Sequence, residues 1–191
     1  MKNLFISVFL LLVCFSSCKT IKPVAKGGSG TIEKSETAQD PHSKEFDFSE
    51  QSTWLIGVLT YGQLAREPYS AWSVKGFDDY QFNSDAVNQL LEINNDNLSI
   101  KIVMGTWCSD SRREVPRFMR ILNIWQFPST RLTIYGVDKE KQCPVGDFDK
   151  FKIERVPTFI LYKNNVEVGR IIETPKTSLE QDMVNILTKK E

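Results

Sequence analysis

MGTWCSDSRREVP, residues 104–116, sets a Trp-Cys pair between an apolar run and a helical stretch. Leu98–Met104 before it has the length and apolarity of a strand. Ser109–Trp125 after it places Val115, Phe118, Met119, Leu122 and Trp125 on one broad helical face. Cys108 therefore falls at a strand-to-helix junction, where the unpaired N–H groups of the first turn and the helix dipole favour a thiolate. Three residues on stands Ser111. Its hydroxyl can donate to the Cys108 sulfur, but it cannot attack a mixed disulfide as a second cysteine would. Arg112 and Arg113 bring positive charge within one turn and Asp110 opposes them, so these three are expected to tune the acidity of the thiol.

Working outward, Arg131–Val137 reads as a second strand ending at Asp138, which suits a helix cap better than a near-site acid. Phe148–Lys152 reads as a short helix. Thr158–Tyr162 and Val166–Ile172 flank Lys163-Asn164-Asn165, a hairpin signal because Asn tolerates positive φ. Thr177 or Ser178 then caps a closing helix. On the N-terminal side, a short helix or strand is expected near Trp54–Leu59 and a helix around Tyr61–Trp72. Another helix follows, with Ser84 as its N-cap. The aromatic cluster of Trp54, Tyr61, Tyr69, Trp72, Phe77, Tyr80 and Phe82 reads as core packing rather than a ligand cage. From the Ser84 helix onward the order is helix–strand–helix–strand–helix–strand–strand–helix.

That order, together with three motifs, resembles the thioredoxin fold over about residues 95–191. Trp107-Cys108-x-x-Ser111 is similar to the W-C-x-x-C of that family except at its last residue. Pro116 lies eight residues after the cysteine, where the family carries the proline of this helix, and Val156-Pro157-Thr158 matches its cis-proline loop. The phrases TWCSDSRREVPRF, RVPTFILY and EVGRIIE are also similar to bacterial thioredoxin-like proteins in which C-x-x-S is usual. The resemblance implies an α/β domain: a central mixed sheet flanked by helices, here with an N-terminal helical extension. The domain is expected over 45–191, with its core at 95–191 and the extension at 45–94. It also implies thiol–disulfide exchange through Cys108 with Ser111 beside it, and a substrate surface made by Trp107, Val156, Pro157 and Thr158.

Two departures weigh against a dithiol cycle. The second cysteine is absent, and Ile102 occupies the position, six before the cysteine, where the family keeps a buried acid. Cys143, 35 residues after Cys108, is the internal candidate for a resolving thiol; the alternative is an incidental loop thiol. A disulfide between them would need Cα atoms about 4.4–6.8 Å apart. The activity expected is therefore monothiol exchange. The alternative is a non-catalytic binding or chaperone-like module that keeps the cis-proline surface.

The remaining sequence sets the compartment. Lys2 followed by the apolar Leu4–Phe15 reads as a signal segment, too short to span a bilayer. Phe15-Ser16-Ser17-Cys18 resembles a lipobox, so 1–18 reads as a lipoprotein signal peptide with lipidation at Cys18. Residues 19–44 carry Gly27-Gly28-Ser29-Gly30, two prolines and many polar side chains, which reads as a flexible tether. The expected location is the bacterial cell envelope, lipid-anchored at the outer membrane and facing the periplasm.

Lys+Arg and Asp+Glu both number 24, so no global field argues for nucleic acid. The one histidine, His42, lies in the tether and leaves no basis for histidine catalysis or a His-rich metal site. Neither cofactor nor metal is expected. The expected partners are a thiol/disulfide protein or a glutathionylated substrate, met by a monomer.

Overall fold

Ten principal elements follow one another in the computed structural model, which describes residues 46–189. The readings placed on the signal segment, Cys18 and the whole tether all fall within residues 1–45 and lie outside the described residues. A first strand β1 (Gly57–Leu59) precedes helices α1 (Tyr61–Leu64), α2 (Ser70–Asp78) and α3 (Ser84–Leu91). Strand β2 (Leu98–Met104), helix α4 (Ser109–Ile124) and strand β3 (Leu132–Gly136) come next. Strands β4 (Thr158–Lys163) and β5 (Val166–Ile172) and helix α5 (Leu179–Leu187) complete the order.

The strands form one mixed sheet in the order β1-β3-β2-β4-β5. β2 and β3 run parallel with Ile102 opposite Ile134, while the other three pairings are antiparallel. This α/β sheet flanked by helices is a thioredoxin-like arrangement. The two-residue period of β2 divides its side chains between the faces. Leu98, Ile100, Ile102 and Met104 enter the main core with Val115, Phe118, Ile121, Leu122 and Trp125 of the α4 region. At its centre the rings of Phe118 and Phe159 stack at 4.2 Å. On the other face, Val103 joins a smaller cluster of Tyr135, Val137, Phe148, Phe151, Val156 and Ile160. Trp107, Cys108 and Cys143 pack against that second cluster.

Local chemistry explains the element ends, and several expectations are corrected by it. The helix expected over Tyr61–Trp72 is broken into α1 and α2, because Pro68 lacks an N–H and restricts the residue before it. Asn83, not Ser84, caps α3: its side chain accepts from the Ala86 N–H at 3.1 Å. Ser178 caps α5 by accepting from Gln181 at 3.2 Å. Asn164 and Asn165 turn the hairpin with φ of 51° and 65°. Asp138 caps no helix; its carboxylate accepts from the Gln142 N–H at 2.7 Å and closes a turn.

The N-terminal extension is more than helical, since it supplies β1 to the sheet edge. It also braces α4 tightly. A Cβ on Gly76 of α2 would lie 2.7 Å from the Pro116 ring, so only glycine permits that approach.

Candidate functional site

Cys108 is the N-cap residue of α4, with extended φ and ψ of −85° and 124°, and is partly exposed. β2 ends four residues earlier, and the Cys108 N–H donates to the Gly105 carbonyl at 3.0 Å, which closes the intervening turn. The thiol donates to the Val156 carbonyl at 3.2 Å. The Val156–Pro157 peptide bond is cis. The next residue, Thr158, is buried and its hydroxyl donates to the Arg155 carbonyl at 2.6 Å. Trp107 lies half-buried with its indole N–H donating to the Val137 carbonyl at 2.9 Å. Cys108, Trp107 and the Val156–Thr158 loop therefore meet at the C-terminal end of β2, beside the start of β4.

Ser111 is placed differently from its expected role. Its side chain is fully buried and its oxygen accepts from the Gly105 N–H at 3.2 Å. The first turn of α4 points it inward, where a backbone donor at the end of β2 needs a partner. The hydrogen bond it makes is with the backbone rather than with the Cys108 sulfur.

The charged neighbours are also otherwise engaged. Arg112 donates to the Thr106 and Trp107 carbonyls at 2.9 and 3.0 Å. Arg113 pairs with Asp110 at 2.8 Å and with Glu114 at 2.6 Å, and Arg117 reaches Glu114 at 3.2 Å. Asp110 and Arg113 thus offset each other on the helix surface.

Cys143 is a free, partly buried thiol, as is Cys108. Burial pushes the Cys143 thiol up, a hydrogen bond involving the Gly57 backbone offsets part of this, and the Asp138 carboxylate adds to it. A thiol held protonated is a slow nucleophile. Ile102 is fully buried among apolar side chains, so no carboxylate stands behind Cys108 at that position.

Two residues escaped the sequence reading. Trp54, assigned to general core packing, has its ring 6.2 Å from that of Trp107 and carries the Lys139 ammonium over its face at 5.2 Å. Thr106, fully buried, bonds to the backbone at Thr53 and Leu55. Neither contact has a local signal, because each joins residues about fifty positions apart in the chain.

Comparison with known proteins gives likenesses in both sequence and structure. Over 98 residues the chain is 30% identical to "Putative thioredoxin-5" of Dictyostelium discoideum, a match covering 50% of this chain and 88% of that relative. A solved structure of a protein of unknown function from Pseudomonas aeruginosa aligns with a TM-score of 0.44 at 14% identity. That alignment covers 68% of this chain and 83% of that one. No protein-family model matches the chain.

Proposed function

Since the chain belongs to the thioredoxin-like superfamily, we propose that it is a monothiol exchange protein acting through Cys108. The observation that carries this reading is the placement of Cys108. It is a partly exposed thiol at the head of a 16-residue helix, facing the Val156 carbonyl just before Pro157, with Trp107 alongside. The Cys108 thiolate attacks one sulfur of a substrate disulfide. A new S–S bond forms, the old one breaks, and the departing thiolate takes a proton from solvent. Release requires a second thiol from outside, protein-borne or of low molecular weight, which attacks the mixed disulfide and leaves Cys108 reduced. Ser111 has no sulfur to perform that step, and Cys143 is a poor nucleophile where it lies.

The substrates are disulfide-bearing or glutathionylated proteins. The exported, lipid-anchored location is supported by Leu4–Phe15 and by Phe15-Ser16-Ser17-Cys18. An oxidising compartment would keep such substrates supplied. No helix among the described residues is long and apolar enough to cross a membrane.

The test is capture of a glutathionylated peptide by the parent, Cys108→Ala and Cys143→Ala proteins. Capture is expected to vanish in Cys108→Ala and to persist in Cys143→Ala. Equal capture by the Cys108→Ala protein would sink the proposal. A second reading, a binding module without exchange, is favoured by the structural use of Ser111, whose oxygen holds Gly105. Peptide binding that survives loss of the Cys108 sulfur would favour it.

A further inference from the structure

We infer that the segment Phe48–Leu55 is a working part of the Cys108 site. Through Thr106 and Arg112 it holds the loop that aims the sulfur. The inference rests on the reading of Cys108 as an exchange thiol and assigns positioning residues to it.

Three contacts build the clasp. The first is Thr106, whose hydroxyl accepts from the Leu55 N–H at 3.2 Å and donates to the Thr53 carbonyl at 3.3 Å. One buried side chain thus satisfies both a donor and an acceptor of the distant segment. The Tyr69 hydroxyl donates to the same Thr53 carbonyl at 3.0 Å and ties the segment to the start of α2.

Arg112 makes the second contact. Its guanidinium takes both carbonyls that precede Cys108, those of Thr106 and Trp107, and lies over the Phe48 ring at 5.0 Å. Phe48 is itself set against Tyr69 and Trp72, with centroids 5.9 and 6.5 Å away. The third contact is Trp54 beside Trp107.

Each residue of the loop is therefore fixed at more than one atom. Thr106 is held by its hydroxyl and its carbonyl, Trp107 by its indole and its carbonyl. Cys108 is held by its N–H and its sulfur. Without Arg112 the two carbonyls would need water; one nitrogen, Nη1, donates to both while the guanidinium lies over Phe48, and a lysine ammonium has no planar group to place over that ring.

Attack on a disulfide needs the incoming sulfur in line with the bond that breaks. Misplacement by about 1 Å can cost about a hundredfold in rate. A site with one thiol gains no internal disulfide to fix its loop in either state, which leaves the task to the clasp.

The test uses the full chain, with Cys108 followed by peptide mapping, in Arg112→Lys, Thr106→Val and Phe48→Leu proteins. Amide hydrogen exchange at Leu55 and Cys108 reads the clasp, and the second-order rate with glutathione disulfide reads its consequence. Both amides are expected to exchange faster in each variant, and the disulfide rate to fall about tenfold or more, Phe48→Leu least.

Alkylation by iodoacetamide is the control for position, since a small reagent makes little demand on direction. Its rate is expected to stay within about threefold and its pH midpoint to stay put. A shifted midpoint in Arg112→Lys, which keeps the charge, would mean that the residue acts on the acidity of the thiol rather than on its aim and would overturn positioning. Unchanged hydrogen exchange would overturn the clasp, and faster hydrogen exchange with an unchanged disulfide rate would overturn its role. A parent protein inert to the disulfide would instead refute the exchange reading. Phe48 lies outside the core clusters, so that variant remains informative if Thr106→Val fails to fold.

Discussion

Gly105→Ala drives a methyl group into the ring of Trp107. A Cβ at that position would lie 2.6 Å from the indole Nε1 and 2.8 Å from Cζ2. Carbon contacts are comfortable at about 3.5–4.0 Å, so the ring must withdraw by about 1 Å. The 2.9 Å hydrogen bond from Nε1 to the Val137 carbonyl does not survive such a shift. Val137 is fully buried, and leaving its carbonyl unpaired costs about 1–3 kcal/mol. Overpacking adds about 1–3 kcal/mol.

The melting temperature should then fall by something on the order of 10 °C, at about 2–4 °C per kcal/mol for a domain of this size. Thermal denaturation followed by circular dichroism measures it, and tryptophan fluorescence reports the ring. The decisive comparison is the same substitution in a Trp107→Phe background, where the smaller ring and missing donor remove most of the conflict. A coupling of about 0.5–3 kcal/mol is expected between the two positions. Costs that simply add, within about 0.5 kcal/mol, would refute the reasoning.

Three further outcomes are expected. Iodoacetamide should modify Cys143 more slowly than an ordinary exposed thiol at pH 8, because burial holds it protonated; equal rates in peptide-resolved mass spectrometry would count against this. Ser111→Cys should turn a lasting mixed disulfide at Cys108 into an internal disulfide with release of the captured thiol, seen as loss of the adduct mass; persistence of the adduct would mean that position 111 cannot reach the sulfur. The Tyr61 phenol is pushed up to about 12 by burial and the Asp78 charge. Its folded value lies above its ordinary one, so the stability it contributes is present below pH 10 and lost as pH rises toward 12. Tyr61→Phe should therefore flatten the alkaline limb of a stability profile, and an unaltered limb would exclude this tyrosine as a cause.

Much of the fold was legible because its signals are local. Val115, Phe118, Leu122 and Trp125 recur at helical spacing, and all four are buried in the core. The Asn164-Asn165 pair announces its own positive φ. β1 was half legible: Trp54–Leu59 stayed open between a short helix and a strand, because three residues, with Val58 60% exposed, carry no period, and pairing with β3 decides for the strand. Pro68 did signal a break that the helix expected over Tyr61–Trp72 passed through.

At the site, the motif residues of Cys108 were readable but their partners were not. Ser111 beside a cysteine suggests a hydrogen bond to sulfur, yet the backbone donor at Gly105 is what the fold leaves in need. Arg112 in a first helical turn looks like a surface charge or a thiolate partner. That it turns back to two carbonyls depends on Phe48, sixty-four residues earlier.

The most direct measurement is exposure of the reduced full chain to glutathione disulfide, followed by removal of excess reagent and peptide mapping with no thiol added. A monothiol site requires a glutathione adduct on Cys108 that persists until an external thiol is supplied. An unmodified Cys108, or an adduct that resolves into a Cys108–Cys143 disulfide by itself, would contradict it.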